Sequence, residues 1–183
     1  MGNLKFALVF LIFNILFLRA QAQLYEVNSG SIDFVSEAKL ELIKASSNDL
    51  KGRLDPGKKL FAFVVKIASF NGFNSPLQKE HFNENYMESN QYPNASFSGK
   101  IIEDLQMNND GDFTIRAKGL LTIHGVARER IIKCLLKISN GVIAVSSSFT
   151  VQLAEHNIPI PKIVYEKLAS EIKVEVNATM QPK

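Results

Sequence analysis

Asp112-Phe113-Thr114-Ile115-Arg116-Ala117-Lys118-Gly119-Leu120-Leu121-Thr122-Ile123 alternates over most of its length. Phe113, Ile115, Ala117, Gly119 and Leu121 fall on one face, and Thr114, Arg116 and Lys118 on the other. Strand side chains point to opposite faces in turn, so this spacing predicts a strand with one apolar and one wet face, as in an antiparallel sheet. Asn108-Asn109-Asp110-Gly111 leads into it, and Asp-Gly between alternating runs is a strong hairpin signal. His124-Gly125 leads out. On either side the spacing predicts strands from Ala95 to Met107 and from Val126 to Ile138. Ser139-Asn140-Gly141 then turns the chain into Val142 to Leu153.

The N-terminal half repeats the pattern. Leu24 to Val27 and Ser31 to Val35 alternate on either side of Asn28-Ser29-Gly30, and Leu40 to Ala45 is a further candidate strand before a turn at Ser46 to Asp49. Leu50 to Leu54 is a short strand, and Asp55-Pro56-Gly57-Lys58 a turn. In Leu60 to Ile67, Phe61, Phe63, Val65 and Ile67 share one face, the aromatic and β-branched composition that suits the inside of a sheet. Phe70 to Leu77, with Gly72 and Pro76, reads as a loop. At the other end Asn157 to Pro161 is extended, Lys162 to Leu168 reads as a helical turn or two, and Ser170 to Thr179 is a closing strand.

One polar stretch interrupts this series. From His81 to Glu88 there is no β-branched residue, and Phe82 and Tyr86 stand four apart, so a short helix would carry both rings on one face. Pro93 stops it. The sum is eight or nine strands, short turns and one helical insertion: an all-β domain. An antiparallel barrel removes exposed edges, with a sandwich as the alternative.

Lys5, the 13 apolar-rich residues Phe6 to Leu18, and Ala20-Gln21-Ala22 have the layout of a secretory signal peptide cleaved after Ala22. The run is shorter than the roughly 18–20 residues that span a bilayer. Residues 1–22 are therefore read as the signal peptide and 23–183 as one domain. Loss of Lys5 and Arg19 takes the formal charge from +3 to +1, which gives no electrostatic reason to bind nucleic acid. Cys134, the only cysteine, cannot form an internal disulfide and reads as a buried structural thiol.

Ser31-Ile32-Asp33-Phe34, Leu50-Lys51-Gly52-Arg53-Leu54-Asp55, Ser69-Phe70, His81-Phe82, Tyr92-Pro93-Asn94-Ala95-Ser96-Phe97 and Leu120-Leu121-Thr122-Ile123-His124-Gly125-Val126 occur in that order. Together they resemble the YceI-like family of bacterial secreted proteins, over nearly all of the mature chain. The span from Asp55 to His81 is short for that family, and Asn157-Ile158-Pro159-Ile160-Pro161 replaces an Asp-Phe-Asn-Ile type strand. The resemblance implies a lipocalin-like extended antiparallel β-barrel of about eight strands with a polyisoprenoid in its lumen. It implies a carrier or storage role in the periplasm or outside the cell.

The residues themselves offer little chemistry. His81, His124 and His156 show no metal-ligand spacing, and Gly-x-Ser-x-Gly is absent, so no catalytic, cofactor or metal site is expected. His124 reads as a turn residue and His156 as exposed. A lumen lined by Phe34, Phe61, Phe63, Phe97, Phe113 and Phe149, with Ile115 and Leu121, would bind a long apolar lipid by burial alone. His81, Phe82 and Tyr86 would form a helix at the barrel mouth. The competing reading is a barrel filled by the same rings, a secreted interaction or stress-tolerance protein with a membrane-associated partner. Monomer and homodimer both stay open.

Overall fold

The structure is a computed structural model and describes residues 23–104 and 109–183. The proposed signal peptide, residues 1–22, and residues Met107 and Asn108 lie outside these. Nine strands form one antiparallel sheet: β1 (Tyr25–Glu37), β2 (Leu42–Ser47), β3 (Lys51–Asp55), β4 (Leu60–Lys66), β5 (Asn94–Ile101), β6 (Gly111–Ile123), β7 (Val126–Ser139), β8 (Val142–Gln152) and β9 (Glu171–Pro182). β3 to β9 are neighbours in order, and β1 pairs with β9 and β3, closing an eight-strand barrel. β2 is the extra strand. It lies along the upper part of β1 (Ile32↔Ser47) in the same register as β3 below it (Tyr25↔Leu54), with the break at Asn48–Leu50.

Local chemistry explains most of these boundaries. His124-Gly125 (φ 50° and 71°) and Asn140-Gly141 (φ 51° and 73°) make two-residue turns with both residues left-handed, whose twist matches that of the strands they join. Asp55 accepts from the Lys58 amide at 3.0 Å and tightens the β3–β4 turn. Asn28-Ser29-Gly30, expected to break the first strand, is absorbed as a bulge between Val27 and Ser29, because β9 pairs with β1 on both sides of it. The strand expected to reach Met107 ends at Ile101.

The helical insertion starts earlier than its composition suggests. Ser75 accepts from the Gln78 amide at 3.1 Å and Pro76 occupies the first turn of α1 (Pro76–His81), which runs on into a π-helical turn at Phe82–Tyr86. A Ser cap followed by Pro is a helix start, and it lies inside the stretch read above as a loop. The 162–168 segment holds the 3₁₀ turn Lys162–Val164 and then a second turn, in which the Leu168 amide donates to the Val164 carbonyl at 3.0 Å, in line with the helical turn or two expected there.

The inside is apolar from end to end. At the bottom, Tyr25, Leu54, Ile138, Ile143 and Met180 pack into one cluster; towards the mouth, Ile67, Leu121, Val151, Leu153 and Ile172 belong to a second. The mouth is crossed by α1 with its π turn and by a strap of residues 158–169. The strap is tied to the β1–β2 turn through Leu40 N–H to the Glu166 carbonyl (2.8 Å) and to the end of β1 through Ala169 N–H to Ser36 Oγ (2.9 Å).

One seam is incomplete. β7 and β8 pair only between Cys134↔Ser147 and Ser139↔Val142. Nearer the mouth, Arg130 crosses from β7, donating to the Thr150 carbonyl (2.8 Å) and pairing with Glu155 (3.1 Å), while Arg128 donates to the Glu155 carbonyl (2.7 Å).

Candidate functional site: an apolar lumen

Two cavities lie in line along the barrel interior. The lower one, about 120 Å³, is lined by Phe61, Phe63, Phe97, Ile115, Ile132 and Met180 among others. The upper one, about 170 Å³, lies under the mouth against Phe34, Phe70, Phe73, Phe82, Tyr86 and Leu168. Ile32, Val65, Ala95, Leu121 and Phe149 line both and form the neck between them. The walls are almost wholly apolar, with Ser36, Gln78, Ser96, Cys134, Ser147 and the Tyr86 phenol as the polar exceptions.

Of the residues expected to line a lumen, Phe61, Phe63, Phe97 and Ile115 face the lower cavity, Phe34 the upper, and Leu121 and Phe149 both. Phe113 lines neither. It packs against the bottom cluster and borders a groove on the outside of the barrel. Alternation fixes only the face: Phe113 stands near the start of β6, two residues before Ile115, the first residue of that strand to line the lower cavity. Of the mouth residues, Phe82 and Tyr86 line the upper cavity, whereas His81 is exposed and does not.

The upper wall contains an aromatic cluster that strand periodicity does not reveal. Phe34 and Phe82 stack with centroids 5.4 Å apart, Phe70 sits 5.4 Å from Phe34, and Phe73 lies 5.0 Å from Phe82. Phe70 and Phe73 come from the segment read as a loop. That segment also pairs with β2 through Ser46 and Asn71 (N–H···O 2.8 and 2.9 Å), which brings both rings over the barrel.

Glycines shape the lumen in two ways. Gly52 faces Phe63 across the β3–β4 pair, and a Cβ there would meet the ring, with Cε1 at 2.6 Å; the missing side chain is where the ring rests. Gly99 and Gly119 face each other across β5 and β6, but neither lines a cavity. A Cβ at Gly99 would strike the Lys118 carbonyl and one at Gly119 the Ser98 carbonyl, so these residues allow two backbones to approach rather than opening space.

The titratable groups nearby are held by burial. The Cys134 thiol, half-buried and facing the lower cavity, has its pKa raised chiefly by burial, and so does the Tyr86 phenol at the upper cavity. His124 Nδ1 contacts the His156 carbonyl (3.1 Å) and its Nε2 contacts Glu88 (2.6 Å), with the Tyr92 ring edge-on at 4.7 Å. The β6–β7 turn is thereby linked to the residues that follow the π turn and to the 153–157 loop. His124 is thus a tie between elements as well as a turn residue.

His156, expected to be exposed, is 0 % exposed. It ends the 3₁₀ turn Leu153–His156 and is tucked against the start of β7, donating from Nδ1 to the Val126 carbonyl at 3.0 Å. Among the described residues no group of three or more His, Cys, Asp or Glu is placed to hold a metal.

Burial, the largest cause, holds the pKa of His156 below the ordinary 6.5, while the bond to Val126 acts in the opposite sense. The unfolded chain binds the proton near 6.5 and the folded one only at lower pH. Between those values the unfolded state holds more protons, so stability falls as pH drops below about 6.5. A series of urea midpoints from pH 7.5 to 5 is expected to show this decline. In His156→Asn the slope should be flatter; an equal slope would place the acid sensitivity elsewhere.

This geometry is that of a lipocalin-like β-barrel with an apolar interior. The YceI-like domain family model matches residues 24–180, and the chain belongs to that family. No curated protein matches it. Similar solved structures include a polyisoprenoid binding domain from Saccharophagus degradans, implicated in plant cell wall breakdown. It is 15% identical, with a TM-score of 0.75, over 87% of this chain and 98% of the other. Burkholderia cenocepacia BcnA is 14% identical with a TM-score of 0.68, over 82% and 95%. A YceI protein from Campylobacter jejuni is 18% identical with a TM-score of 0.59, over 77% and 85%.

Proposed function

We propose that this protein is exported, loses residues 1–22, and acts in the periplasm or outside the cell as a carrier or store for a long apolar lipid of the isoprenoid class. The observation that carries this reading is the pair of apolar cavities in line, joined at the Ala95–Leu121–Phe149 neck. Apolar cavities of roughly 150 Å³ stay dry and accept guests the size of benzene. Each cavity therefore suits a short segment of chain, and two in series suit a ligand that is long and thin.

Ligand sites of drug size occupy roughly 300–1,000 Å³. A long isoprenoid must then spread the side chains at the neck as it threads both cavities. The few polar groups in the walls do not converge on a point where a substrate could react, which favours binding over catalysis. The Saccharophagus degradans neighbour, described as a polyisoprenoid binding domain, supports the same ligand class. The cavities also weigh against a barrel filled by its own side chains.

Native mass spectrometry of protein purified from bacterial periplasm without detergent tests the proposal. One co-purifying isoprenoid per chain is the expected result, released on organic extraction. An apo mass that stays unchanged when isoprenoids are added would overturn it.

A further inference from the structure

The strap across the mouth has two faces. Ile160 and Leu168 pack inward on the upper cluster, whereas Ile163 is 90% exposed and Tyr165 64% exposed. Beside the strap, on the β1–β2 turn that Glu166 holds, Leu40 is 62% exposed. Gln78, next to the exposed Leu77 on α1, donates to Glu41 of that same turn at 2.9 Å. Leu40, Leu77, Ile163 and Tyr165 thus stand on three adjoining segments at the mouth, two of which, α1 and the strap, help to cover the upper cavity.

We propose that this rim docks on the surface of a lipid bilayer, with Ile163 and Tyr165 entering the interface, so that an apolar ligand passes between membrane and lumen without crossing water. The inference rests on the ligand reading above for its purpose, and on the rim itself for its geometry. The four side chains stand on three short segments and share no common groove, although Tyr165 also borders two grooves beside the strap. A protein partner would need a matching set of pockets, whereas a bilayer interface accepts projecting apolar groups of any arrangement.

The strap tip, Lys162-Ile163-Val164-Tyr165-Glu166-Lys167, has the order of an interfacial anchor. An aliphatic group and a tyrosine are bracketed by lysines whose stems lie along the apolar layer while their charges stay in the headgroups. Charge is not the driving force. Glu166 pairs with Lys39 (2.8 Å) and Glu37 with Lys173 (2.8 Å), so two of the rim lysines are already neutralised within the protein. Uncharged phosphatidylcholine vesicles are therefore sufficient.

The chain contains no tryptophan, so Ile163→Trp introduces a single reporter. Its emission is expected to shift to the blue on addition of phosphatidylcholine vesicles. Leu135→Trp, 54% exposed on the outside of β7 away from the mouth, is expected not to shift. In vesicle sedimentation, the double variant Ile163→Asp, Tyr165→Asp should bind about tenfold more weakly or worse than the parent chain. It should still take up a three-unit isoprenoid alcohol added from solution, because neither residue lines the lumen.

No shift at Ile163→Trp, an equal shift at both positions, or undiminished vesicle binding by the double variant would overturn docking. Uptake of the alcohol by the parent chain separates the two readings. Uptake without vesicle binding removes docking and leaves the carrier reading standing. Vesicle binding with the Ile163→Trp shift but no uptake supports docking and removes the carrier reading.

Discussion

Gly119→Ala is expected to lower the stability of the barrel by about 3 kcal/mol, the upper end of the usual cost of overpacking a well-packed interior. In a domain of this size that is a fall in melting temperature of about 6–12 °C. The added methyl would fall on the carbonyl of Ser98 in β5, and a backbone carbonyl inside a ladder cannot swing aside as a side chain can. The effect does not come from glycine's wider choice of φ. Gly141→Ala is the control: its φ is 73°, where alanine is strained, but nothing lies within 4 Å of the new methyl. It should cost about 1–2 kcal/mol, the left-handed penalty alone. Thermal unfolding of both variants by circular dichroism makes the comparison. A Gly119→Ala loss no greater than that of Gly141→Ala would show that the β5–β6 approach can relax.

Ala95→Phe is expected to abolish binding of long isoprenoids, with affinity falling by about a hundredfold or more, while the fold is kept. Ala95 stands at the neck, and a ring there would occupy the passage between the two cavities. Losing roughly half of the buried chain removes several kcal/mol of burial at about 25 cal/mol per Å². The new ring must push neck side chains towards the two cavities, so stability should fall by about 1–3 kcal/mol, the usual cost of overpacking, with the barrel still folded. A two-unit isoprenoid, short enough for the upper cavity alone, should bind nearly as well as before. Isothermal titration with ligands of graded length reads both outcomes. Unchanged affinity for the long ligand would mean that it does not pass the neck.

Where backbone preference and side-chain alternation agreed, the fold was legible in the residues. β4 and β6 carry clean period-two patterns, and His124-Gly125 and Asn140-Gly141 are dipeptides that only a tight turn suits. The misreadings lie where distant contacts decide. Asn28-Ser29-Gly30 has the composition of a turn, yet β9 holds it in a strand. Phe70 and Phe73 belong to the wall because Asn71 pairs with β2, a contact made across 25 residues of chain. His156 is polar and sits between Glu155 and Asn157, so its own neighbourhood says surface; the start of β7, thirty residues upstream, buries it.

The candidate site was legible by face and not by depth. Alternation put Phe61, Phe63, Phe97 and Phe113 on inward faces, but only closure of the barrel sets which of them reach a cavity. The glycines show the same limit. Gly52 makes room for a ring, whereas Gly99 and Gly119 allow two strands to meet, and the residue type is the same in each case.

The unfinished β7–β8 ladder makes the barrel a split collar rather than a welded ring. A collar of continuous backbone hydrogen bonds has a fixed girth, because any widening must break ladder bonds in series. Here the upper part of the circumference between β7 and β8 is spanned by two arginine side chains, each on flexible methylenes, attached to Glu155 and Thr150. Phe149, at the neck, lies on the β8 side of that gap, just above the last paired rung at Ser147. On the carrier reading proposed above, guests of different thickness would be taken up by a change in the gap, with the arginines shifting their hold, while the eight-strand circuit below stays closed.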